Sequence, residues 1–285
     1  MTRVIYINGQ YRPYDHAFVH AEDRGFQFGD AVYEVIEVAA GKLVDEPRHM
    51  ARLARSQREL HMSSGPTPAA WALILRETVR RNRVRDGIVY LQVSRGAAPR
   101  DFLFPEPGTP LTVVCLARAI DPAPGWATAE KGIRIITRPD PRWARCDIKT
   151  VMLLPASLAK EDAKAAGAQE VWFVDQDGYV TEGGSSNAWI LTDSGHLVTT
   201  PATKAILRGV TRMTVLDCCK QLGVSFEERR FTIDEAKTAR EAFITSASNL
   251  VMPVSAIDDV PIGNGNGGTV ARDIRANFHS LAALT

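Results

Sequence analysis

"RWARCDIKTVMLLPASLAKEDAKAAG", Arg142 to Gly167, sets Lys149 just ahead of an apolar run of Val151, Met152, Leu153 and Leu154. The second half, "LPASLAKEDAKAAG", reads as a helix closed by Gly167, because glycine accepts the left-handed backbone that ends a helix. An ammonium at a loop-to-helix junction is ordinarily a solvated surface group. The apolar run predicts a segment that packs inward, where the amine loses hydration and becomes a nucleophile able to form a Schiff base.

Working outward, "EVWFVDQDGYVTEG" downstream reads as a hairpin turning at Asp177-Gly178, and "GVTRMTVLDCCKQLG" as a helix ended by Gly223. Near the start, "VIYINGQYRP" alternates about Asn8-Gly9, a dipeptide suited to a two-residue turn. "AVYEVIEVAAGKLVDE" is a second strand pair turning at Gly41-Lys42, with Val32, Glu34, Ile36 and Val38 on one face. Glu34 is out of place on that apolar face. Helices follow in "EPRHMARLARSQRELHM" and "TPAAWALILRETVRRN", then strands in "GIVYLQVSRG" and "PLTVVCLARAI". "DPAPGW", Asp121 to Trp126, concentrates proline and glycine between two strands and reads as a linker. The expectation is an α+β, two-domain chain: residues 1–120 small and N-terminal, 121–126 linker, and 127–285 a larger C-terminal domain carrying Lys149.

Composition narrows the function class. With 34 Lys+Arg against 33 Asp+Glu, the chain has no net field to gather nucleic acid or an acidic membrane surface. A hydrophobic content of 45% over 285 residues supports a real core. No window approaches the roughly 20 apolar residues of a membrane span. Cys115, Cys146, Cys218 and Cys219 have no pairing pattern, so a reducing, cytoplasmic setting and small-molecule chemistry are expected.

Several ordered motifs, "EDRGFQFGDAVYEV", "RCDIKTVMLLPASLAKEDA", "VTEGGSSNAWIL", "LRGVTRMTVL" and "FITSASNLVMPV", together resemble the fold type IV pyridoxal-phosphate enzymes. That family includes D-amino-acid aminotransferases, branched-chain aminotransferases and aminodeoxychorismate lyases. The resemblance implies pyridoxal 5′-phosphate held by Lys149 as a Schiff base, a homodimer, and a site between domains. It also implies a reaction alternating between an amino acid and a 2-oxo acid, with the freed lysine moving a proton between the substrate Cα and the cofactor.

Residue by residue, the resemblance gives Glu182 the pyridine nitrogen and puts Ser185 in the same hydrogen-bonded shell. Arg52, Gly209, Val210, Thr211, Ser246 and Ala247 fall to the phosphate, Leu207 to the ring face and Arg142 to the phenolic oxygen. Read alone, Glu182 is also compatible with a solvated hairpin end, Thr211 with a plain helix cap, and Arg142 with an ion pair to Asp140 or Glu170. Ala247 stands where the family often carries a hydroxyl.

"FGDAVYEVIEV" resembles the D-amino-acid branch, with Tyr33 and Val35 lining the substrate side. "SRGAAPRDF" departs from it: Arg100 matches a carboxylate-binding arginine, but Phe102 occupies the place of a histidine. The expected activity is therefore transamination of D-amino acids with an altered carboxylate trap and side activity on (R)-primary amines. The alternatives are a branched-chain aminotransferase, an aminodeoxychorismate lyase, or a non-catalytic cofactor-binding scaffold. "GNGNGG", Gly263 to Gly268, fits a dinucleotide glycine pattern only formally, since a single helix's worth of chain follows. His16 and His20 lack a third ligand, so no metal site is expected.

Overall fold

The computed structural model describes residues 3–62 and 65–285. Its chain divides into two compact units, one of Met1–Asp121, Ile148–Met152 and Ala283–Thr285, the other of Pro122–Asp147 and Leu153–Ala282.

In the first unit, Asn8 and Gly9 both take positive φ, folding β1 (Val4–Ile7) back on β2 (Gln10–Pro13). After α1 (Arg24–Phe28), β3 (Ala31–Ala39) turns at Ala40 and Gly41, one residue earlier than expected, into β4 (Lys42–Leu43). Next come α2 (Glu46–Glu59), with Pro47 in its first turn, and α3 (Pro68–Arg81), started by Thr67 accepting from the Ala70 amide. β5 (Gly87–Ser94) and β6 (Thr112–Ala119) complete an antiparallel sheet in the order β2-β1-β6-β5-β3-β4. Alternation along β3 and β5 puts Val32, Ile36, Val89 and Leu91 into one buried cluster with Leu53 of α2 and Leu75 of α3. Each such side chain stabilises by about 1.5–3 kcal/mol relative to exposure. Glu34 shares the buried face.

The expected linker is instead the entry to a helix, α4 (Ala123–Lys131). Pro122 and Pro124 are compatible with a helix here because proline's missing N–H goes unused in a first turn. β7 (Ile133–Pro139), α5 (Leu154–Ala165), β8 (Glu170–Val174), β9 (Val180–Gly183), β10 (Asn187–Leu191) and β11 (Leu197–Thr199) follow. Then come α6 (Val210–Leu222), β12 (Phe226–Glu228), α7 (Ile233–Lys237), β13 (Glu241–Ser246), β14 (Leu250–Ile257), β15 (Val260–Pro261) and α8 (Thr269–Leu281). The sheet runs β12-β11-β10-β13-β14-β7-β8-β9, with β7 parallel to both neighbours and β15 added to β14. β8 is covered on both faces: Trp172 joins one buried cluster, Val171 and Phe173 another with α5.

Two expectations about the lysine segment change. Residues 148–152 belong to the first unit rather than to the C-terminal one. The apolar run does not pack inward either, since Met152 and Leu153 are 42% and 41% exposed and Leu154 is 70% exposed. The reason lies in α5, which buries a stripe of small residues, Ala156, Ala159 and Ala163, and so turns Leu154 and Leu158 outward.

Candidate active site

In the first unit, the lysine is presented by backbone. Ile148, immediately before it, sits in the core, while the Tyr33 amide donates to the Lys149 carbonyl at 3.0 Å and the Val151 amide to the Ala31 carbonyl at 3.1 Å. The segment is thereby stitched along the start of β3. Lys149 is half-buried, and its Nζ lies 4.2 Å from the centre of the Tyr33 ring. Among the described residues no carboxylate pairs with that amine. An amine held over an aromatic face with no carboxylate partner is open to an incoming carbonyl.

Tyr33 and Val35 share the half-buried face of β3, and the Tyr33 ring lies 5.6 Å from that of Tyr90. Burial pushes the Tyr90 phenol up to about 12, so it stays a donor, to Gln92 at 2.6 Å. On the opposite face Glu34 receives Arg52 through two bonds, Nε to Oε1 at 2.8 Å and a terminal nitrogen to Oε2 at 2.6 Å, and His49 Nδ1 approaches at 2.7 Å. Burial pushes the Glu34 carboxyl up, but the Arg52 charge and the bonds from Arg52 and His49 prevail and hold it at about 2. Burial also drives the His49 value down, against the pull of Glu34. Arg52 is thus a fixed, oriented guanidinium.

In the second unit, Glu182 is the next-to-last residue of β9 and is almost wholly buried. Its Oε1 accepts from Arg142 at 2.5 Å, and its Oε2 accepts from the Asn187 side chain at 3.0 Å and the Leu207 amide at 3.1 Å. Arg142 is itself gripped by Asp140 through bonds of 2.9 and 2.7 Å, and Asp140 takes a further bond from Thr181 at 2.8 Å. Arg142 therefore pairs with Asp140, as one reading allowed, and with Glu182. The carboxylate is locked in direction, which suits a group that must point at a ring nitrogen.

Asn187 also donates to the Leu207 carbonyl at 2.9 Å, so the Leu207 main chain, rather than its half-buried side chain alone, ties the residues before α6 to Glu182. Gly209 follows as the N-cap of α6; a Cβ there would stand 2.1 Å from the Asn187 side-chain oxygen. The first intrahelical bond runs from the Met213 amide to the Gly209 carbonyl, which leaves the Val210 and Thr211 amides at an open helix start. Ser246 and Ala247 occupy the β13–β14 turn, where Ser246 Oγ accepts from the Asn249 amide at 3.2 Å. Ser185 does not join the Glu182 shell: it and Ser186 donate to Glu170 at 3.2 and 3.1 Å, because β8 brings that buried carboxylate beside the glycine turn before them.

Each unit by itself carries groups that a phosphorylated aldehyde needs: the first an amine with no counter-ion among the described residues, the second helix-start amides at a capping glycine and a carboxylate aimed by three donors. The class IV aminotransferase family model matches residues 31–257. The chain belongs to the class IV aminotransferases. As a class IV aminotransferase it is 39% identical over 271 residues to the D-alanine aminotransferase of Bacillus licheniformis, covering 95% of this chain and 94% of that protein. It is 36% identical to the D-alanine aminotransferase of Staphylococcus epidermidis, over 98% and 97% of the two chains. Among solved structures, the branched-chain amino acid aminotransferase of T.th. with pyridoxamine 5′-phosphate matches with a TM-score of 0.90 at 29% identity, over 98% and 94%. The Escherichia coli branched-chain enzyme matches in fold with a TM-score of 0.91 at 24% identity, over 99% and 95%.

Sequence reading missed His49 and Asn187. His49 stands three residues before Arg52, one helical turn away on the same face, and Glu34 on an apolar strand face was the signal that two such partners would be needed. Asn187 carried no signal, because its bond to the Leu207 carbonyl crosses 20 residues of chain.

Proposed function

We propose that this aminotransferase moves amino groups from D-amino acids to 2-oxo acids with pyridoxal 5′-phosphate, accepting (R)-primary amines as a side activity. The observation that carries the substrate reading is its near full-length relation to D-alanine aminotransferases. When bound, pyridoxal phosphate supplies an aldehyde to capture the amine and a pyridinium ring to spread the electron pair left on Cα.

Lys149 Nζ would hold the cofactor through its aldehyde and, when freed by substrate, would be the group that takes up and returns the substrate Cα proton. One amine acting as base and then acid keeps the proton on a single face of the substrate. Glu182, oriented by Arg142, Asn187 and the Leu207 amide, would hold a proton on the ring nitrogen. Val210, Thr211, Ser246 and the Ala247 backbone bind phosphate oxygens, with Arg52 as the cation. Tyr33 and Val35 bound the substrate side, and Arg100 receives its carboxylate. We assign the enzyme to the cytoplasm, consistent with four free cysteines, and to a homodimer, since Phe26, Phe102, Leu103 and Phe104 are exposed together around α1 and the loop beside it.

The test is direct. Borohydride treatment of the holoenzyme followed by peptide mapping is expected to find the reduced adduct on Lys149. Mixing with D-alanine or D-glutamate is expected to bleach the bound chromophore, more slowly with (R)-phenylethylamine. Turnover of L-leucine alone would overturn the reading in favour of the branched-chain alternative.

A further inference from the structure

The loop from Arg95 to Phe104 is built around cations with different fates. Arg24 is buried and held by side-chain and main-chain acceptors, bonded to Asp30 at 2.9 Å and to the carbonyls of Asp101 and Leu103 at 2.7 and 3.2 Å. Arg95 is likewise buried, bonded to Asp30 at 2.7 Å and to the Leu60 carbonyl at 2.7 Å, with the Phe104 ring 3.7 Å from its guanidinium. These two fix the loop's main chain. Arg100 differs: it is exposed, and among the described residues it has no hydrogen-bond or ion-pair partner. Its guanidinium carbon lies 5.0 Å from the centre of the Phe28 ring and 5.9 Å from that of Phe102. The two rings meet edge to face, 5.8 Å apart at 62°.

We propose that Phe28 and Phe102 form an aromatic grip that positions the Arg100 guanidinium to receive the substrate carboxylate, making Phe102 a specificity-determining residue. The proposal rests on the D-amino-acid reading above. A guanidinium against ring faces keeps all of its N–H donors for a ligand, because the rings attract its charge without accepting those bonds. A carboxylate partner would instead compete with substrate. Phe102 thus does for Arg100 what Asp30 does for Arg24 and Arg95, orienting it while leaving its hydrogen bonds open. The same ring makes the surroundings apolar, which explains how one arrangement serves amino acids through Arg100 and amines through the ring.

The test uses holoenzyme of Phe102→Leu, Phe102→Tyr and Arg100→Ala, with propionate binding measured by calorimetry as a readout independent of turnover. The ratio of kcat/KM for D-alanine to that for (R)-phenylethylamine is measured alongside. Phe102→Leu keeps the volume and loses the π face, so propionate affinity and the D-alanine preference are each expected to fall about two- to five-fold. Phe102→Tyr is expected to restore both, and Phe102→Leu to have no further effect in the Arg100→Ala background. If Arg100→Ala weakens propionate and Phe102→Leu does not, the grip is overturned while the substrate reading stands. If Arg100→Ala itself leaves propionate binding unchanged, the assignment of Arg100 fails, and the grip with it.

Discussion

Glu34 illustrates at the residue scale how a buried charge directs a neighbour that does chemistry. Its carboxyl sits at about 2 in the folded protein against an ordinary 4.5, so its contribution to stability is complete above 4.5 and is lost as pH falls towards 2. His49 lies below its ordinary 6.5 because burial penalises the imidazolium. Its contribution is complete above 6.5 and is lost as pH falls further, since the unfolded chain then binds the proton that the fold refuses. Acidification therefore destabilises in two stages, His49 before Glu34. Urea unfolding from pH 7 to 4 is expected to show stability falling from about pH 6.5 downward. His49→Gln should flatten the upper part of that fall, and an unchanged slope would refute the assignment. Glu34→Gln removes the buried carboxylate that Arg52 and His49 share, at a cost of about 3–5 kcal/mol, with weaker cofactor retention because Arg52 loses its direction.

At the scale of elements, the start of α6 is the most constrained. Gly209→Ala drives a methyl against Asn187, the side chain that ties Glu182 to Leu207. Overpacking of this kind costs about 1–3 kcal/mol, equivalent to a fall in Tm of about 2–4 °C per kcal/mol in a chain of this size. Both phosphate and ring-nitrogen contacts are disturbed, so equilibrium dialysis is expected to show cofactor affinity reduced at least ten-fold, roughly what 1.4 kcal/mol accounts for. Retention of wild-type affinity would show that the α6 start does not hold phosphate. Such elements were legible in sequence where local chemistry decides them: the Asn8-Gly9 turn, the alternation of β3, and the glycine stops of α5 and α6. What stayed hidden depended on distant partners. "DPAPGW" has linker composition, yet Ala129 behind it is buried in the second unit's core, and that burial makes the segment helical. The run after Lys149 looked like core because all four of its residues are apolar; its exposure follows from the alanine stripe that α5 packs instead. Ser185 followed Glu182 in sequence but turned to Glu170, a choice set by how β8 pairs with β9.

For the whole molecule, near-neutral charge and exposed apolar surface point the same way. A net formal charge of +1 gives copies little mutual repulsion. Phe26 on α1 is 75% exposed, and Phe102, Leu103 and Phe104 stand on the loop that Arg24 of α1 holds. Isolated exposed apolar residues are ordinary, but a group gathered on one helix and its adjoining loop marks an interface. The homodimer proposed above would cover it with a second copy, because the same patch on each chain satisfies a two-fold interface without any further partner. Light scattering at micromolar concentration is expected to give twice the chain mass of 31.2 kDa. Phe26→Asp puts a charge into the patch without touching Arg100, and is expected to yield single chains, since an unpaired carboxylate in a closed apolar interface is costly to desolvate. A Phe26→Asp protein that keeps the doubled mass would place the interface elsewhere. If it separates into single chains and loses propionate affinity as well, the Arg100 loop depends on the second copy for its binding geometry; if affinity survives separation, Arg24, Arg95 and the two rings suffice within one chain.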